Sequence, residues 1–104
     1  MPKPVSLSYG SAAILHAVAS GRQFGFDIMS ETGLTSGTVY PALDRLESAG
    51  YLRSKWESEE AARAEGRPAR RYFSLTAAGA VTLRAALEKY KALRSLPGFS
   101  PEQA

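Results

Sequence analysis

Apolar residues return at helical intervals from Leu7 onward: Leu7, Ile14, Leu15 and Val18 share one face with Ser11, and Gly21 follows. Spacings of three and four place side chains on one side of an α-helix, and a glycine past the last of them suits a C-terminal cap. The pattern predicts a first helix over about 7–20, with Gly10 weakening its start. Phe24, Ile28 and Met29 predict a shorter second helix from about Gln23 to Thr32, stopped by Gly33. After Leu34 and Thr35 a third begins, with Val39, Ala42, Leu43, Leu46 and Ala49 on its apolar face and Gly50 at its end. Two helices joined by so tight a glycine-containing turn have the geometry of a helix-turn-helix.

The period then changes. The segments "YLRSKWES" and "RRYFSLT" read as short strands, bracketed by Leu52 and Trp56 in the first and carrying Tyr72, Phe73 and Leu75 in the second. Between them "EEAARAEGRPA", with its charge, glycine and proline, reads as a mobile connection rather than a packed element. A two-stranded hairpin directly after the second helix of a helix-turn-helix is the wing of a winged helix. From Thr76, a good N-cap, helical spacing resumes to about Ser95 through Ala80, Leu83, Leu87, Tyr90 and Leu93, and Pro97 with Gly98 ends it. The expected fold is therefore mainly α with a small β-hairpin, a winged helix-turn-helix. Its expected parts are a flexible arm at 1–6, the winged domain at 7–75, a C-terminal dimerisation helix at 76–96 and a flexible tail at 97–104.

The third helix has an unusual start, "TSGTVYP". A helix N-terminus carries amides without intrahelical partners and the positive end of the dipole, so it is suited to approach phosphates. Thr35, Ser36 and Thr38 supply hydroxyls there, and Gly37 lets another backbone come close. Pro41 cannot donate to the carbonyl of Gly37 and presses on it, which implies a kinked or tightened first turn unless the helix begins only at Thr38. Either start leaves a protruding tip with Tyr40 outward, anchored by Val39 and Leu43.

Composition narrows the function classes. The chain has 104 residues, 44% hydrophobic and 22% charged, which is one ordinary globular domain. It has no cysteine, so neither a disulfide framework nor a thiolate metal site is available. Lys3 followed by "SAAILHAVASG" imitates a signal peptide ending near Ala17 and Ala19, but the apolar run is short, is broken by His16 and fits the first helix, so the expected location is the cytoplasm. No stretch approaches a membrane span. A formal net charge of only +3 puts the weight on where the charge sits. Arg67, Arg70 and Arg71 cluster at the base of the wing opposite Arg53 and Lys55, a pattern that either anchors phosphates or balances the neighbouring glutamates. Arg45 could reach DNA or pair with a nearby carboxylate. Trp56 reads as core or hairpin packing rather than a ligand platform, His16 has no companions at metal-ligand spacing, and no nucleophile–base pair or cofactor motif is present.

The sequence resembles the PadR family of bacterial transcriptional regulators. The resemblance is carried by Gly25-Phe26-Asp27-Ile28, by Gly37-Thr38-Val39-Tyr40-Pro41 with Leu43, Leu46 and Glu47, by Gly50-Tyr51-Leu52, and by Gly66-Arg67 with Arg70-Arg71-Tyr72-Phe73-Ser74-Leu75-Thr76 and Gly79. It spans roughly residues 7–80 and looks like the short subgroup with one helix after the wing. The resemblance implies a homodimer that binds double-stranded operator DNA, usually represses, and in some members is released by a small aromatic or hydrophobic effector. The wing departs from the pattern in being long and acidic, with Glu57, Glu59, Glu60 and Glu65. The expected DNA-binding set is Thr35, Ser36, Gly37, Thr38, Tyr40, Arg45, Arg67, Arg70 and Arg71. The expected dimer interface is Ile14, Leu83, Leu87, Tyr90 and Leu93, against intramolecular packing on the first helix. The alternative function is a winged-helix protein-interaction module with no operator of its own.

Overall fold

Ser8 opens the first helix by accepting the Ser11 N–H on its hydroxyl at 3.1 Å, and α1 (Tyr9–Ala19) follows. The structure is a computed structural model that describes residues 7–94, with side chains described as far as Lys91. Leu7 precedes the helix rather than opening it, yet it is buried in the core. After the loop come α2 (Gly25–Thr32) and, past Gly33 in the left-handed conformation at φ 74°, α3 (Ser36–Ser48). The hairpin of β1 (Leu52–Trp56) and β2 (Arg71–Leu75) is antiparallel, pairing Leu52 with Leu75, Ser54 with Phe73 and Trp56 with Arg71. The second helix is shorter than its pattern predicts, because Phe24 and Gln23 join β2 instead: Phe24 bridges Tyr72, and the Phe73 N–H donates to the Gln23 carbonyl at 2.7 Å. That pairing gives the outer edge of β2 a backbone partner at Phe73 and ties the hairpin to the start of α2.

The core forms where all these elements meet. Ile14 and Leu15 of α1, Ile28 of α2, and Val39 and Leu43 of α3 are completely buried, and Leu46, Leu52, Phe73, Leu83 and Ala86 extend the same cluster. Ala49, expected on the apolar face of α3, caps its C-terminus in solvent.

The segment between the strands is not a loose connection. It holds a short helix, α4 (Glu59–Ala64), whose N-cap Ser58 accepts the Ala61 N–H at 3.1 Å. Glu59 and Glu60 sit in its first turn and Arg63 in its last, each complementing the helix dipole, and Ala62 is 3% exposed. Gly66 and Pro68 lie after this helix rather than inside it, and "EEAARA" between a capping serine and that stop has high helix propensity. The last helix, α5 (Ala77–Arg94), begins after Thr76, whose hydroxyl accepts the Gly79 N–H at 3.0 Å and donates to the Gly50 carbonyl at 2.6 Å.

Candidate nucleic-acid interface

The tip of α3 stands clear of the core. Thr35, Ser36, Gly37, Thr38 and Tyr40 are all exposed while Val39, one residue before Tyr40, is fully buried, so the helix is anchored on one side and open on the other. The helix starts at Ser36, not at Thr38, and Pro41 lies inside it. The Thr35 carbonyl accepts both the Thr38 N–H at 3.0 Å and the Val39 N–H at 2.9 Å, a tightened first turn of the kind Pro41 implies. Thr35 makes no side-chain cap; its hydroxyl lies 3.4 Å from that of Thr38. A side chain at Gly37 would meet only Thr35 Oγ1, at 3.9 Å, so no neighbour inside the fold requires glycine there. The exposed first-turn groups are thus hydroxyls and a bare backbone.

The wing arginines divide sharply. Arg67 forms a two-pronged pair with Glu57, at 2.5 Å to Oε1 and 2.9 Å to Oε2. Glu57 also accepts the Arg70 N–H at 3.2 Å and lies 3.4 Å from the Tyr72 hydroxyl. Arg71 reaches back to α3, pairing with Glu47 and, at 3.3 Å, with Asp44, while its Nε donates to Ser54 at 3.0 Å. Ser54 in turn donates to Glu47. Arg71 therefore fastens the wing to α3 and is not a free cation. Arg70 makes no ion pair among the described residues; its guanidinium lies 4.0 Å from the centre of the Phe24 ring. Arg45, Arg53 and Lys55 are exposed and have no side-chain partner among the described residues. The pairing of Arg67 with Glu57 is the charge-balancing reading of the wing, whereas Asp44 and Glu47 were not legible as partners of Arg71, because those pairings depend on how the hairpin lies against α3.

The Arg67 hydrogen bonds hold the Glu57 carboxyl down at about 2 against the opposing effect of desolvation, with the Arg70 amide assisting, and Glu57 in return raises Arg67. A carboxyl depressed on folding adds stability that is fully present above its ordinary value of 4.5 and is lost as the pH falls to about 2. Comparison with a Glu57→Gln variant isolates this contribution. The variant is expected to melt below wild type near neutral pH, and the gap is expected to close as the pH falls to about 2. A gap that stays constant with pH in circular-dichroism melts would remove the pair from the stability of the wing.

The expected dimer residues are also divided. Ile14 is 0% and Leu83 6% exposed, both inside the domain's own core, so neither presents a surface to a second copy. Their helices are the domain's own packing partners, which is the intramolecular arrangement weighed against dimerisation. Tyr90 is half-buried, donates its hydroxyl to the Leu7 carbonyl at 2.8 Å and packs edge-on against Tyr9. Leu87 remains 44% exposed beside an open groove of about 530 Å³ that includes Ala13, His16 and Tyr90. The side chain of Leu93 lies outside the described residues. Trp56 is 64% exposed rather than packed, since β1 carries it beyond the end of the core. With Phe26, Tyr40 and Arg70 it lines a cleft of about 610 Å³ between α2, α3 and the wing. Among the described residues no group of three or more metal-ligating side chains occurs, and no helix is long and apolar enough to cross a membrane.

A helix-turn-helix followed by a two-stranded wing defines the winged helix-turn-helix class of fold. Within it, the chain belongs to the PadR-like family of transcriptional regulators, whose model matches residues 14–85, more than half of the chain. Members of that family are regulators and not enzymes. The structure is similar to that of a Streptococcus mutans UA159 protein, at 26% identity and TM-score 0.70 over 90% of this chain and 87% of that one. It is similar to a PadR-like transcription factor from Bacteroides fragilis, at 26% identity and TM-score 0.66 over 81% and 82%. A PadR family regulator from Clostridium difficile R20291 shares the fold at 23% identity and TM-score 0.72 over 84% and 92%. No curated protein matches the chain significantly.

Proposed function

We propose that the protein is a homodimeric, cytoplasmic repressor that reads operator DNA with Thr35, Ser36, Gly37, Thr38 and Tyr40 in the major groove. The observation that carries this reading is the exposed hydroxyl-rich tip of α3 standing opposite a fully buried Val39. Phosphate anchoring falls to Arg70 and Arg45, which make no ion pair among the described residues, in preference to Arg67 and Arg71, which are already paired. Dimerisation through the exposed Leu87 of α5 would give the operator a matching two-fold symmetry. Repression, dimerisation and release by a small aromatic or hydrophobic effector draw their support from the family resemblance.

Fluorescence anisotropy on the duplex immediately upstream of the protein's own gene, beside a scrambled duplex and at two salt concentrations, tests the reading. The native duplex is expected to be preferred. Arg70→Ala is expected to weaken both duplexes alike and to flatten the logarithmic salt slope by about 0.9. Equal binding to both duplexes, lost with salt, would leave only a basic surface and transfer the function to a protein-interaction module.

A further inference from the structure

Gly25 opens α2, is buried and has no left-handed backbone angle, so the peptide geometry there does not call for glycine. Glycine also loses more conformational freedom than alanine on entering a helix. What does call for it is Tyr40. A Cβ built on Gly25 would lie 2.4 Å from the Tyr40 hydroxyl oxygen, 2.5 Å from Cε1 and 2.6 Å from Cζ. The outer end of the ring therefore rests on the backbone of Gly25, within the space a methyl group would occupy. Tyr40 is 49% exposed and its hydroxyl has no hydrogen-bond partner among the described residues, so this seat on α2 is a packing contact rather than a polar one.

We infer that Gly25 is a positioning residue for operator recognition: it provides the flat seat that sets where the Tyr40 ring stands at the tip of α3. The inference rests on the DNA-reading role proposed above. A ring held in place before DNA arrives loses less rotamer freedom on binding than one swinging free, which favours the cognate duplex. The seat joins the two helices of the helix-turn-helix through a side chain that belongs to the reading surface. Phe26, the next residue along α2, is 73% exposed and lines the same cleft as Tyr40, so the displaced ring has open space to move into. Gly25→Ala is therefore expected to move the ring rather than unfold the domain.

The test is a double-mutant cycle on Gly25→Ala and Tyr40→Ala, read by anisotropy on the upstream and scrambled duplexes, with thermal melts alongside. In the wild-type background Gly25→Ala is expected to lower affinity for the upstream duplex about tenfold, with the scrambled duplex and the salt slope unchanged. In the Tyr40→Ala background the same substitution is expected to change nothing on DNA, because no ring remains to be displaced. An equal loss in both backgrounds, or no loss in either, would overturn the inference. A nuclear Overhauser contact between the Gly25 α-protons and the Tyr40 ring tests the seat without DNA, and its absence in the wild-type protein would also overturn it. The contact seen, together with wild-type binding that prefers neither duplex, would instead defeat the DNA-reading role, and the inference with it.

Discussion

Gly79→Ala is expected to lower the melting temperature by about 10–25 °C, from a loss of about 2–4 kcal/mol. The sign is the reverse of the usual one, since alanine in place of glycine inside a helix ordinarily gains about 1 kcal/mol. Gly79 lies buried in the first turn of α5, where an added Cβ would stand 2.0 Å from the Tyr51 carbonyl oxygen, 2.9 Å from its carbon and 3.1 Å from Leu75 Cδ2. A clash with the end of a flexible side chain could relax, but this one is with backbone. The Tyr51 carbonyl accepts the Thr76 N–H at 3.1 Å and the Tyr51 N–H donates to the Leu46 carbonyl at 2.9 Å, so the backbone is held on both sides of the Tyr51 Cα. Moving it would break the junction at which α3, the hairpin and α5 meet. Circular-dichroism melts decide the matter: a melting temperature at or above wild type would mean that the junction yields, and that Gly79 is an ordinary helical glycine.

A second large effect separates the core from the surface of the same helix pair. Ile14→Ala removes methyl groups from a site with 0% exposure and is expected to cost about 2–5 kcal/mol. Leu87→Glu changes a residue that is 44% exposed and is expected to alter the stability of the monomer itself by no more than about 0.5 kcal/mol, while converting the proposed dimer to monomer in sedimentation velocity and removing only the stability that association adds. Were Ile14 part of a surface between two copies, its truncation would change the mass and leave the melt of the isolated domain alone. A dimer that survives Leu87→Glu would place the two-fold elsewhere on the molecule.

These contrasts trace how far residue patterns reach. The helices α1, α2, α3 and α5, the glycine-containing turn and the hairpin were legible because each depends on local periodicity and on a stop residue such as Gly33. The protruding α3 tip was legible for the same reason: Val39 and Leu43 assign its inner face, and Thr35, Ser36 and Thr38 are left over. The helix α4 was missed by giving the downstream Gly66 and Pro68 more weight than the capping Ser58 and the alanine-rich segment it precedes. Trp56 was misplaced because burial depends on where β1 ends relative to the core, which no strand pattern records.

By itself the sequence determined the order of α1, α2, α3, the two wing strands and α5, the winged helix-turn-helix class and the small polar groups at the start of α3, since helical period, capping and turn chemistry are properties of neighbours along the chain. Only the tertiary structure decided which arginines make no ion pair, which leucines of α5 face inward and what a Cβ at residues 25 and 79 would meet. Arg67 meets Glu57 across ten residues and Arg71 meets Glu47 across twenty-four, while the close approaches at Gly25 and Gly79 are to Tyr40 and Tyr51. Charge pairing and steric fit act through space over a few ångströms, and the distances that set them exist only once the helices have packed.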